Sequence, residues 1–150
     1  MMPIGDIWLE HDVDDRRIAA AVATGFAVNS VTVWPRNGVK ELDADVIVQC
    51  DHEPGDFPFH LAFTATPASG IDTMPDGRFT TAVKVMARDL SQSIFTQLTE
   101  QYPGDFLIVV PDGNSLVVAL DDDAGDQGRI ELTPESRRRW ESLAAVAAAD

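Results

Sequence analysis

The sequence predicts an α+β fold: a mostly antiparallel sheet built from two similar β-α-β-β halves, with helices packed against it and a C-terminal helix. Three observations predict it. "FPFHLAFTA" alternates Phe57, Phe59, Leu61 and Phe63 with Pro58, His60, Ala62 and Thr64, the period-two pattern of a half-buried strand. "DFLIVV" and "SLVVAL" flank "PDGN", and an Asp-Gly pair between apolar runs signals a hairpin. "DVDDRRIAAAVATGF" places Ile18, Val22 and Phe26 at helical spacing, with Asp12, Asp14 and Asp15 where acids complement a helix N-terminus.

Taken in order, "GDIWLE" is a first strand and the segment just described a first helix. "SVTVW" is a strand closed by Pro35-Arg36-Asn37-Gly38, whose Asn-Gly pair predicts a hairpin. "ADVIVQC" is apolar enough for a central strand covered on both faces. Pro58 has no N–H, so "FPFHLAFTA" has it near a strand start or edge. "TPASGIDTMPDGR" is the loop between halves. "FTTAVKVM" then reads as a strand with Phe79, Thr81, Val83 and Val85 on one face, and residues 90–102 as a helix with Leu90, Ile94, Leu98 and Tyr102 as its stripe. After the hairpin, "DDDAGDQG" is a loop and "RIEL" a short strand. Thr133 caps the last helix, Pro134 opens it, and Trp140, Leu143, Ala144 and Ala147 form its apolar stripe.

Laid on each other with Ile7 over Val83, the halves (about 1–70 and 78–150) match Ile18 to Ile94, Val33 to Val109 and Pro35 to Pro111. The expectation is one acidic domain over 1–150 with structurally similar halves. Its expected core holds Ile18, Val22, Ile47, Phe59, Leu61, Val85, Ile94, Leu98, Ile108, Val109, Val117 and Trp140.

Charge narrows the function. There are 25 Asp and Glu against 11 Lys and Arg, a net charge of −14, which repels nucleic acid and anionic membrane and favours a basic protein partner. A lone Cys50, at the end of "VIVQC", excludes an internal disulfide and reads as a structural thiol. "MMPIGDIWLE" lacks a signal-peptide pattern, and no apolar run nears the roughly 20 residues that span a bilayer, so the expected location is the cytoplasm.

Enzyme signatures fail in turn: no G-x-S-x-G, no G-x-x-x-x-G-K-[ST], no G-x-G-x-x-G, no H-E-x-x-H and no C-x-x-C. "DDDAGDQGRIEL" fails as a calcium loop, since its sixth and twelfth residues are Asp126 and Leu132. The mixed cluster Cys50-Asp51-His52-Glu53 offers Asp51, His52 and Glu53 to a small enzyme or ligand binder, with Asp51 and His52 as a general-base pair. Neighbours on a strand point to opposite faces, so neither a metal nor a catalytic centre is expected there, and no cofactor at all. His11 reads as part of a helix entrance and His60 as a histidine beside nothing identifiable. Asp121, Asp122, Asp123 and Asp126 are the candidate partner-binding residues; Arg137, Arg138 and Arg139 fan around a helix and are expected to pair with acids of the same domain.

The second half, with a helix, an apolar strand, an Asp-Gly turn, an apolar strand and "DAGDQGRIEL", resembles small immunity proteins of bacterial toxin systems. The whole element order resembles type III secretion chaperones. Neither resemblance carries site residues with it. The expected function is a non-enzymatic protein-binding domain, an immunity or inhibitor protein that neutralises a basic, nuclease-like toxin. A secretion-type chaperone binding an effector segment is one alternative and a small enzyme or ligand binder using Asp51, His52 and Glu53 another, with homodimer formation a further assembly open to the chain.

Overall fold

The computed structural model describes residues 2–34, 44–69, 78–97 and 106–149. The fold is α+β. Its strands are β1 (Met2–Leu9), β2 (Val31–Trp34), β3 (Val46–His52), β4 (Phe59–Ala65), β5 (Ile94–Gln97), β6 (Phe106–Val109) and β7 (Ser115–Val118). They form one seven-stranded sheet in the order β2-β3-β4-β1-β5-β6-β7. Every neighbouring pair is antiparallel except β2 with β3. The helices among the described residues are α1 (Asp15–Phe26), α2 (Arg78–Leu90), a short α3 (Asp122–Asp126) and the C-terminal α4 (Pro134–Ala149).

Two cores lie on opposite faces of the sheet. On the first, Ile7, Leu9, Val46, Val48, Phe59, Leu61 and Phe63 meet Ile18, Val22 and Phe26 of α1 and Ala82, Val83 and Met86 of α2. Gly25 lets these helices approach: a Cβ there would stand 3.0 Å from the Ala82 carbonyl oxygen and 3.3 Å from Met86 Cγ. On the second, Phe57, Phe95, Ile108, Val110 and Val118 pack under Trp140, with Leu143, Ala144 and Ala147 beside it. Trp140 Nε1 donates to Ser93 Oγ at 3.0 Å, so its buried N–H is satisfied.

Caps follow the sequence. The Asp14 carboxylate accepts from Arg17 N at 3.0 Å, and Thr133 Oγ1 accepts from Ser136 N at 3.3 Å ahead of Pro134. Pro58 stands just before β4, whose residues alternate between buried and half-buried along its whole length.

Several expectations are corrected. Residues 78–90 form α2, not a strand. Val83 suits either period, but Ala82, Val83, Met86, Ala87 and Leu90 are the buried set, a helical stripe facing α1. Ile94 accordingly opens β5, while Leu98 and Tyr102 lie outside the described residues. The overlay of halves therefore sets β1 on α2, and the element order of the second half is its own. The Asn-Gly pair also lies outside the described residues; β2 and β3, the strands on either side of it, pair in parallel and not as the arms of the expected hairpin.

Phe57 precedes β4 and belongs to the second core. Among the described residues β3 is covered on one face only, with Ile47 half-buried and Gln49 and Asp51 exposed on the other. Val85 is half-buried, and Val117, on the outermost strand, is 50% exposed. "RIEL" makes only isolated bridges, Ile130 with Gly55 and Leu132 with Leu120.

Candidate functional site

Because α4 covers only the β5-β6-β7 side of the second face, no described helix lies over the same face of β3 and β4. Strand alternation sends Asp51 of β3, His60 of β4, and Asp6 and Trp8 of β1 to that open face. Register aligns them: His60 pairs with Trp8 on one side and with Asp51 on the other. Glu53 joins from the β3–β4 connection, which is closed by Glu53 N donating to the Pro58 carbonyl at 2.8 Å.

His60 is the centre of the group. Its ring stacks on the Trp8 indole, with centroids 4.6 Å apart and planes at 12°. Its Nε2 lies 2.9 Å from Asp6 Oδ1 and its Nδ1 3.3 Å from Glu53 Oε1. The other oxygen, Glu53 Oε2, accepts from Trp8 Nε1 at 2.9 Å. Trp8 packs edge-on against Phe95, anchoring the group to the second core. One ligand atom from each of Asp51, Glu53 and His60 lies within 4.8 Å of the others.

This overturns the isolation expected for His60 and the expected lack of convergence here. The ligands come from two strands and their connection, not from neighbours on one strand. Of the named trio, Asp51 and Glu53 take part and His52 does not. His52 Nε2 stands 3.7 Å from Asp12, its ring tilts over Phe59, and its backbone N–H donates to Asp51 Oδ1 at 2.8 Å. Asp51 and His52 thus form no imidazole–carboxylate couple. Cys50, expected to be a buried thiol, is half-buried against the first core.

Sequence reasoning missed Asp6, Trp8 and His60 as partners of Glu53. The signal that finds them is pairing: once β3 and β4 run antiparallel around a short connection, Asp51 must stand opposite His60.

The acidic set is placed elsewhere, beyond β7. The expected loop is the short helix α3, and Asp121 is its N-cap, accepting from Ala124 N at 3.0 Å. Asp122, Asp123 and Asp126 are exposed and form no ion pair among the described residues. A hollow of about 490 Å³ opens beside them, lined by Phe106, Val117, Leu120, Asp122, Glu135 and Arg139. Arg137 pairs with Asp56 at 2.9 Å, Arg139 reaches within 3.5 Å of the Val117 carbonyl, and Arg138 is exposed. His11 holds the start of the β1–α1 connection: its backbone N–H and carbonyl both bond the side chain of buried Gln92.

Burial pushes the Glu10 carboxyl above the ordinary glutamate range, partly offset by nearby His11 and by the Ser93 backbone N–H. A raised folded-state pKa means the native state holds a proton that the unfolded chain releases. The stability it contributes is complete at acid pH and is lost as pH rises through the raised value. Glu10→Gln should therefore raise the denaturation midpoint at about pH 7 and lose that advantage near about pH 4. Urea titrations at both pH values check this; equal midpoints at neutral pH would refute it.

No known protein family, curated protein or solved structure matches this chain. Among the described residues, no helix is long and apolar enough to cross a membrane.

Proposed function

We propose that this chain is a non-enzymatic protein-binding domain whose partner is a basic protein, and that it acts as an immunity-type inhibitor of a nuclease-like toxin. The observation that carries the reading is the α3 surface. Asp122, Asp123 and Asp126 present negative charge that forms no ion pair among the described residues, on a chain of net charge −14. Asp122 and Asp123 also suit the first turn of α3, but their exposed side chains add nothing to the core, and with Asp126 they form a surface that attracts positive charge. The adjoining hollow supplies apolar floor from Phe106, Val117 and Leu120 for a side chain of the partner. Acids at the rim act mainly on association rate, while the apolar floor acts on residence time.

Capture from host extract at low salt should retain a basic protein that salt elutes. Asp121 caps α3, so the informative variant leaves it intact and changes Asp122, Asp123 and Asp126 to Asn. Its association rate with the captured protein should fall roughly tenfold at low ionic strength and show a flatter salt dependence. An unchanged rate and slope would reduce α3 to a solvated turn; capture of no basic protein would remove the proposal.

A further inference from the structure

We propose that Asp51, Glu53 and His60 bind one divalent transition-metal ion, of the zinc kind, on the second face of the sheet at β3, β4 and β1. The proposal is independent of the α3 surface.

The first ground is geometry. One ligand atom from each of the three residues lies within 4.8 Å of the others, and Glu53 Oε1 is 3.3 Å from His60 Nδ1. Donors bonded to zinc at 2.0–2.2 Å in a tetrahedron stand roughly 3.3–3.6 Å apart, so this pair already has the span of two ligands on one ion.

The second ground is the gathering of carboxylates around one imidazole. Both ring nitrogens of His60 face carboxylate oxygens, Asp6 at 2.9 Å and Glu53 at 3.3 Å, and Asp51 converges on the same ring. A divalent ion between Glu53 Oε1 and His60 Nδ1 would balance that negative charge. No Lys or Arg among the described residues pairs with Asp6, Asp51 or Glu53 to do so instead.

The third ground is the supporting shell. A ligating histidine characteristically donates its other N–H to a carboxylate, which fixes tautomer and ring orientation; Asp6 stands in that position. Trp8 does two further jobs: its stack fixes the imidazole plane, and its N–H holds Glu53 Oε2, leaving Oε1 for the ion. One imidazole with two carboxylates suits zinc or manganese, has too few oxygens for calcium and lacks the thiolate that copper(I) prefers. Asp51 is exposed, so the cluster can be reached from solvent.

The test uses the full chain, stripped with a chelator, exchanged into chelator-free buffer and titrated calorimetrically with zinc chloride, then with manganese and calcium chlorides. Zinc should saturate at one equivalent and bind at least tenfold more tightly than calcium. His60→Ala and Glu53→Gln should weaken zinc binding about 100-fold or more, and Asp6→Asn by about 10-fold, as expected for ligands and an outer-shell partner. His11→Ala and His52→Ala, at exposed histidines outside the cluster, should leave it unchanged. A readout on the parent protein avoids any folding loss in the variants: nitrogen-15 spectra of the imidazoles should show zinc moving His60 Nδ1 while Nε2 keeps its proton.

Three outcomes would overturn the proposal. One is the lack of saturable zinc binding, another is binding that survives in His60→Ala, and the third is a His60 ring protonated on both nitrogens and unmoved by zinc.

Discussion

Phe63→Ala should lower the unfolding free energy by about 3–5 kcal/mol, the range for truncating a fully buried aromatic side chain. Phe63 is 1% exposed at the centre of β4, pairs with Val48 of β3 and Gly5 of β1, and meets the Phe26 ring edge-on at 5.4 Å. Truncation removes the ring's burial and leaves a cavity between sheet and helices that the paired backbone cannot close. Against a typical total of about 5–15 kcal/mol, that is a third or more of the stability. Val117→Ala is the control: the same kind of truncation at a half-exposed residue on the edge strand should fall within about 0.5 kcal/mol. Urea denaturation followed by tryptophan fluorescence measures both. A loss below about 1 kcal/mol at Phe63 would mean that the sheet–helix core is not packed as described.

Asp56→Ala should cost about 2–4 kcal/mol, for a different reason. Asp56 Oδ2 accepts from Leu132 N at 2.8 Å and from Arg137 Nη2 at 2.9 Å, and the Asp56 side chain is only 14% exposed. Its backbone N–H also donates to the Ile130 carbonyl at 2.7 Å. Removing the carboxylate strands one backbone donor and one half-buried guanidinium together, and unmet donors cost more than their hydrogen bonds contribute. Asp56→Asn, which keeps one acceptor oxygen, should lose about half as much. A double-mutant cycle with Arg137→Ala should return a coupling of about 0.5–3 kcal/mol; a coupling near zero would show the pair to be incidental. The consequence extends to the open face, because this contact ties the 53–58 connection, and with it Glu53, to the segment leading into α4.

How far the sequence reached depended on whether each signal was local. α1, β4, the β6–β7 hairpin and α4 were legible because a cap, an alternation or a turn pair sits within the element itself. α2 was misread because Phe79, Thr81, Val83 and Val85 alternate like a strand, while the stripe that decides the matter, Ala82, Met86 and Leu90, is partly small residues whose value appears only against α1. Of the two surfaces, the acids of α3 were legible as composition. The use of Asp121 as a cap was not, since it depends on the backbone turning there.

By itself, then, the sequence determined an acidic α+β chain, the cap of the last helix and the alternation of β4. Only the tertiary structure decided the strand order, the parallel pairing of β2 with β3 and the meeting of Asp6, Trp8, Glu53 and His60. The reason is range. Caps and periodicity act within a few residues, whereas Asp6 and His60 are 54 residues apart and meet only because β1 pairs with β4 in one register. A slip of one residue would turn His60 into the apolar core and Leu61 out to solvent, so burial of Phe59, Leu61 and Phe63 on one face is what sets His60 among carboxylates on the other.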